Sequence, residues 1–559
     1  MSFPLAQIAF AGHIRPGDIG DRDTASTGLE TGFALIRQAA AEGAQLLTGL
    51  ADGADLLAAQ AWDQAALGGI HVVYPFLTDK PAAQPGGAVR ASTWLDGAAL
   101  EAAGYNAHLA QTRWLIGAAD LLVVLWDGKA GRGAGGTADA VRLALQHGIA
   151  VLWILPNDVR PPRLIAPAER GESYDFMELL EQLARGAPEM ARAATADAVA
   201  EALAARGFEA GEIAADAERD SPSVLDRLLH ATLWKTYAGF RRALGGRVRT
   251  LLAPSRPPED LSAEPGFATL TRAHAAADQQ ANRLSAVHRS QQLILLIAAV
   301  AATAIGSSPA VWPQIKIYAV LAELTLALLA VVVWSGGTRA ARHARWSEAR
   351  RLAEQLRLER AAWALGLSSV DSRDAPGPAA RAARVLRRRA GLAPGAFDAA
   401  RVLRWGGWAI EEIVGSQARY NQVQGHRNET IAHRIHIAEN FSFGVFVVSL
   451  VAFAGAWGVM HAVGQEMPHW IGGGVLMLGA IVPALGAASL ALESTLAFAE
   501  QGQRSQFLAT RLAAIQASIT DPARLDELQR AAKAAMRLHG TQEDRWGEDA
   551  DRRRLLRGG

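Results

Sequence analysis

Cysteine is absent from the 559 residues, which excludes disulfides and thiolate-held metals and sits easily with a cytosolic chain. An excess of charge of either sign is also missing. Lys and Arg number 56 against 55 Asp and Glu, a net charge of +1, so there is no global attraction to a polyanion. The opening MSFPLAQIAFAGHIRPG lacks a basic segment followed by an apolar one, so the reading expects no signal peptide. Metal-ligand spacing is lacking too. The histidines are scattered, and His433 with His436, at i, i+3, has no third ligand nearby.

Long apolar runs are what the chain does have. Ile315 to Trp334, IKIYAVLAELTLALLAVVVW, is long enough for a bilayer core, which takes roughly 20 helical residues. Leu293 to Ala310 precedes it across a short turn, and the pair predicts a hairpin. The unit recurs: Phe441 to Val463 and Trp470 to Leu492 form a second hairpin, again followed by a long polar helix. Arg283, Arg289, Arg339, Arg342 and Arg345 flank the first hairpin on its polar side, and Arg427, Arg434, Arg504 and Arg511 flank the second. The short turns hold no arginine. By the positive-inside rule both hairpins enter and leave from the cytosol, so both termini are expected there, in a multi-pass protein of the cytoplasmic membrane.

Two carboxylates mark the spans. Glu323 lies near the middle of the second and has two open readings: a pore or gate residue, or a protonated carboxyl bonding between helices. Glu493, at the end of the fourth span, is a weaker gating candidate placed where a side chain can snorkel to the interface.

Residues 1–157 alternate short apolar strands with helical segments, which predicts a doubly wound, Rossmann-like α/β domain on a parallel sheet. Two glycine-bearing loops follow strands and open helices. Thr48, Gly49, Asp52, Gly53 and Asp55 form the first, and Gly133, Gly135, Gly136 and Thr137, preceded by Asp127, form the second. With Gly12 and Arg15 after the first strand, they fall at the carboxyl edge of the sheet. There helix N-termini present free N–H groups and glycine lets a phosphate approach.

The remaining segments are read as follows. Residues 158–270 are a helical linker region, with a proline- and arginine-rich exit at Pro156 to Arg170. Within it, Val224 to Leu244 is an amphipathic helix expected to pack on the α/β domain rather than lie on the membrane. Residues 271–367 hold the first hairpin and its polar helices, 368–395 a basic linker, 396–540 the second hairpin, and 541–559 a polar tail. The run RAARVLRRRAG in the basic linker suits lipid headgroups or the positive-inside rule better than nucleic acid.

TGLADGADLLA followed by VVLWDGKAGRGAGGTADAV resembles the SLOG superfamily of nucleotide-binding and nucleotide-processing domains. The resemblance implies a nucleotide-derived ligand at the two loops, either ADP-ribose-like or a cyclic nucleotide, and no tightly bound cofactor. Hydrolytic members carry PGGxGTxxE. This chain has Arg132 at the proline position, Ala134 at the second glycine and Ala140 at the catalytic glutamate, with Asp139 one residue early, so the resemblance implies a sensor rather than an enzyme. The order HRS, span, a second span with AEL, then RRLAEQLR resembles the SLATT family of two-span modules, and ARYNQVQGHRNETIAHRIHIAENF opens a looser second copy. That resemblance implies an oligomeric membrane pore opened by the sensor in bacterial conflict systems. The alternatives are a membrane-anchored nucleotide N-glycosidase of the LOG type and a non-catalytic scaffold. The partners expected are the signal, the bilayer and further copies of the chain, with no nucleic acid.

Overall fold

The computed structural model describes residues 6–12, 21–40, 43–79, 89–131, 134–158, 160–168, 175–184, 191–205, 236–245, 255–339, 342–367, 378–466 and 468–555. A nine-stranded sheet forms the first body. Its strands are β1 (Ala6–Gly12), β2 (Ala44–Thr48), β3 (Ile70–Tyr74), β4 (Val89–Leu95), β5 (Leu121–Leu125), β6 (Ala150–Ile154), β7 (Arg163–Ile165), β8 (Ala191–Ala193) and β9 (Gly395–Phe397). Their order is β8-β7-β6-β5-β1-β2-β3-β4-β9. β5 is an unbroken run of Leu and Val, and both it and β3 are buried along their whole length, as a sheet covered on both faces requires. All pairings are parallel except β6–β7 and β7–β8. The strand order reverses between β1 and β5.

The sheet therefore runs past the expected boundary at 157. The segment read as a linker contributes two antiparallel edge strands and α7, and β9 comes from beyond residue 390. The helices of this body are α1 (Arg22–Ala39), α2 (Ala54–Gln64), α3 (Gly97–Ala102), α4 (Ala107–Ala118), α5 (Thr137–Gln146), α6 (Phe176–Ala184) and α7 (Ala196–Ala205). α1, α2 and α7 share a core with one face of the sheet. α5 and α6 cover part of the other.

After the helix α8 (236–245) come α9 (Glu259–Ala263), α10 (Pro265–Ser307), α11 (Lys316–Arg339), α12 (Arg342–Ala364) and α13 (Pro378–Ala390). A continuous helical stretch α14 (Ala399–Ala462) follows, with π turns at Val402–Gly406 and Glu411–Gly415. α15 (His469–Leu496), α16 (Phe498–Ala517) and α17 (Leu525–Leu555) complete the chain. The four expected spans fall within α10, α11, α14 and α15, which are long and apolar enough to cross a membrane.

Each repeat has one design: a long stalk (α10 or α14), a returning span (α11 or α15), and a polar helix (α12 or α16) packed back along the stalk. The hairpin turns lie at one level, since a Cβ on Gly473 near the start of α15 would sit 1.9 Å from the carbonyl oxygen of Ala310 at the end of the first span.

Of the expected amphipathic helix, 224–235 lie outside the described residues; the remainder, in α8, packs on the helical repeats rather than on the α/β domain. Tyr237 joins a core with Leu293, Ile435 and Phe498 from both repeats. Arg241 donates to Gln424 at 2.8 Å, and Arg434 donates to the Leu244 carbonyl at 2.7 Å, ending the helix. Its apolar face thus found the groove between two stalks.

The expected basic linker is also ordered where described. α13 turns Arg384, Arg387 and Arg388 inward against the amino edge of the sheet, while Arg381 and Arg389 stay exposed. Arg388 donates Nε to Asp120 Oδ1 at 2.6 Å, and Asp120 Oδ2 accepts the Gln7 N–H at 2.9 Å, all three residues being buried. Arg387 lies 3.7 Å from the buried Glu359 of α12. Arg384, Arg387 and Arg388, spaced three and four apart on one helical face, gather beside buried carboxylates, so these three are not part of a headgroup patch. Removing one partner of such a pair strands a buried charge. Arg388→Met should cost roughly 3–5 kcal/mol, read as a lowered thermal midpoint of the detergent-solubilised chain. Adding Asp120→Asn should recover much of that loss, and additive losses would refute the pairing.

Candidate functional site

The carboxyl ends of β5, β1 and β2 stand side by side, which brings the two loops found in the sequence to one edge. β1 ends at Gly12, where a Cβ would lie 2.4 Å from Ala54 Cβ, so only glycine lets α2 start this close. Arg15, Gly133 and Arg132 lie outside the described residues.

The first loop is built by its own side chains. Thr48 is buried at the end of β2, and its hydroxyl accepts the Leu50 N–H at 3.1 Å. Leu50 is held at φ 47° and Gly53 at φ 100°. Asp55 sits in the first turn of α2 and accepts the Ala51 N–H at 3.3 Å. Burial pushes its carboxyl up to about 7, against the lowering effect of bonds from Ala51, Thr48 and Gly49. Asp55 therefore holds the loop from inside, while Asp52 is exposed at its tip.

The second loop leaves Trp126, whose indole donates to the Lys129 carbonyl at 2.9 Å. Asp127 accepts the Lys129 N–H at 3.1 Å. Gly135 adopts φ 84°, and a Cβ there would fall 2.5 Å from the Leu109 nitrogen, so glycine is required twice over. Asp139 Oδ2 accepts the Gly135 N–H at 2.9 Å and its other oxygen pairs with Arg142 at 2.5 Å, so this carboxylate braces its own loop. Gly136 precedes α5 and Thr137 opens it, half-buried. Ala140 is 1% exposed, a methyl group in the helix–sheet core. Helix N-termini behind glycine loops suit an anionic, phosphate-bearing ligand.

Both loops rest on α4, which the motif reading passed over. Gln111 donates to the Val73 carbonyl at 2.6 Å, and a Cβ on Gly49 would lie 2.6 Å from its Nε2. Thr112 donates to the Gly135 carbonyl at 3.0 Å. The available signal was the polar run Gln111, Thr112, Arg113 in a helix, AHLAQTRWLIGA, whose remaining residues are apolar apart from His108. Trp114 of the same helix meets the membrane repeats. Its ring lies against Gly366 at the end of α12 and 4.8 Å from the Phe397 ring.

A second cleft, of about 410 Å³, opens where the two stalks begin. Asp260 accepts from the Trp405 indole and from Arg404, both at 3.0 Å. Arg401 lies over the Trp405 ring at 3.6 Å and pairs with Glu264, the residue before Pro265, at 4.0 Å. These bonds staple the origins of the stalks together.

The two span carboxylates differ. Glu493 accepts the Ala499 N–H at 2.8 Å across the left-handed break at Ala497, φ 49°, and so caps the helix after the span. Glu323, an exposed residue of α11, rests its carboxyl against Gly306 of α10.

Comparison of the chain with family models, curated proteins and solved structures gives no match.

The raised carboxyl of Asp55 sets a pH dependence. Between 3.8 and about 7 the folded chain keeps a proton that the unfolded chain has released, so stability falls as pH rises through that window. Asp55→Asn should remove this slope and add roughly 1–3 kcal/mol at pH 8 with little change at pH 4. A pH series of thermal midpoints checks it, and an unaltered slope would sink the assignment.

Proposed function

We propose that this chain is a membrane sensor–effector. Its α/β domain, of the SLOG type, binds a nucleotide-derived signal at the loops carrying Gly49, Asp52, Gly53, Gly135, Gly136 and Thr137. The SLATT-like repeats answer by assembling or opening a pore from several copies of the chain. The setting is the cytoplasmic membrane of a bacterium, with both termini in the cytosol, and the output is ion leakage that arrests an infected cell.

The observation that carries this reading is the junction at α4. Gln111 and Thr112 touch both loops, and Trp114, within one turn, is packed against the return helix of one repeat and the strand that opens the other. A ligand that favours one arrangement of the loops biases α4, and the shared core passes that bias to both stalks. Ala140 leaves the LOG-type glutamate position without an acid, which weighs against hydrolysis.

The test uses the full chain in detergent and a panel of mononucleotides, ADP-ribose, cyclic ADP-ribose isomers and cyclic di- and oligonucleotides. A true ligand at one hundred times its Kd should add about 2.7 kcal/mol of stability. Gly136→Asp or Asp52→Ala should abolish that gain, and the same ligand should trigger leakage from liposomes bearing the wild-type chain. Stabilisation by none of the panel would overturn the nucleotide reading, and release of free base would replace it with the hydrolase. Trp114→Leu should keep the ligand-induced gain and lose ligand-triggered leakage at least tenfold.

A further inference from the structure

The amino edge of the sheet holds a group of charges that the proposed sensing does not use. A cavity of about 30 Å³ lies there between the end of α4, the start of β1, and α13. Arg384, Arg387 and Arg388 of α13 line it together with two carboxylates, Asp120 and Glu359. Arg388 is bonded to Asp120 at 2.6 Å, and Arg387 lies 3.7 Å from Glu359. Among the described residues Arg384 has no carboxylate of its own. It feels Asp120 and Glu359 at longer range, against the like charges of Arg388 and Arg381. The cavity is thus lined by three cations and two anions, and the negative end of α4 offsets only part of the third cation.

Donors are left over as well. Among the described residues, the solvent-shielded Nε atoms of Arg384 and Arg387 have no hydrogen-bond acceptor. Arg387 gives its other nitrogens to the Gly391 and Leu367 carbonyls. Gln7 Oε1 borders the same space without a hydrogen bond, and a turned amide would offer its NH2 there instead. Burial holds Arg384 below the usual guanidinium range and drives Arg387 down to about 10, as befits cations their surroundings do not fully compensate. A buried charge without a partner is costly, and buried N–H groups are rarely left without an acceptor. The room exceeds the roughly 10–15 Å³ that one water needs. It suits one monatomic ion or a pair of waters and is too small for a phosphate.

We propose that this cavity binds one chloride ion, held by the Nε groups of Arg384 and Arg387. The ion brings the cluster to neutrality and gives both donors an acceptor. A water molecule accepts from both nitrogens too, but leaves the third charge unbalanced. α13 connects one helical repeat to the other, so the bound halide ties that connection to the sheet. The site lies at the opposite edge from the loops proposed for the nucleotide, and either can fail without the other.

Thermal midpoints of the full chain in detergent test this, in sodium chloride against sodium gluconate at equal ionic strength. Gluconate is too large for the cavity. The wild type should gain on the order of 1–3 °C for each tenfold rise in chloride above its Kd, with bromide acting alike. Arg384→Met removes a charge that has no carboxylate partner. In gluconate it should melt no lower than the wild type, and chloride should no longer shift it. Arg384→Lys keeps the charge and should keep a weakened response. The wild type, and not Arg384→Met, should also broaden the NMR resonance of chloride. Equal wild-type midpoints in the two salts, meaning that water alone fills the cavity, would overturn the proposal. So would a chloride response that survives Arg384→Met, the mark of an adventitious ion only. A fall in the gluconate midpoint of Arg384→Met, the mark of a purely structural arginine, would overturn it too.

Discussion

A mostly parallel sheet has to be covered on both faces, and that requirement organises this molecule. Strands β2, β3 and β4 present Leu47, Val73 and Leu95 to a face that α4 alone cannot cover. The chain after residue 255 supplies the cover. Phe267, Trp363, Phe397, Trp405 and Trp408 pack with Trp114 into one core that holds residues from the sheet, both stalks and the last helix. Gly366, at φ 63°, lies so close to Trp114 that a side chain there would occupy the indole's place. The sheet and the helices that carry the spans are therefore one packed unit rather than two domains on a tether.

The stalks are held at three levels. At their origin β9 pairs with β4 and runs directly into α14, while Asp260 and Glu264 bind Arg404, Trp405 and Arg401. The two π turns at the start of α14 widen the helix, and His539 of the last helix makes a 3.1 Å bond with the carbonyl of Ile413 in the second turn. Burial drives that histidine down to about 4, so it is neutral near pH 7 and donates its one N–H there. Where the stalks meet the spans, α8 fills the groove between repeats. Both helical repeats thus pack around elements drawn from other parts of the chain.

Charge is handled differently in the two halves. At the amino edge of the sheet, buried arginines from α13 meet the buried carboxylates of Asp120 and Glu359, a contact whose loss would strand a buried charge. Along α12, Arg350 and Arg357 flank Glu354 one turn either side, as helical spacing allows. Within the spans, Glu493 is turned back onto a helix start, while the Glu323 carboxyl lies against Gly306 of the neighbouring span.

Local patterns settled much of this in the sequence. Twenty-residue apolar runs are long enough to define spans without knowing their neighbours. Apolar strands broken by glycine turns set the α/β alternation and placed both loops at one sheet edge, because strand–loop–helix order alone dictates that side. What depends on distant partners was not legible. The fate of RAARVLRRRAG turned on Asp120, 268 residues from Arg388, and that of the described end of the amphipathic helix, 236–244, on a groove made by two repeats. A strand three residues long, β9, carries too little periodicity to be seen, yet its pairing with β4 decides how the second stalk joins the sheet. Short-range periodicity determined the elements. Only the tertiary fold, by deciding which faces had to be hidden, determined that sheet and spans share a core.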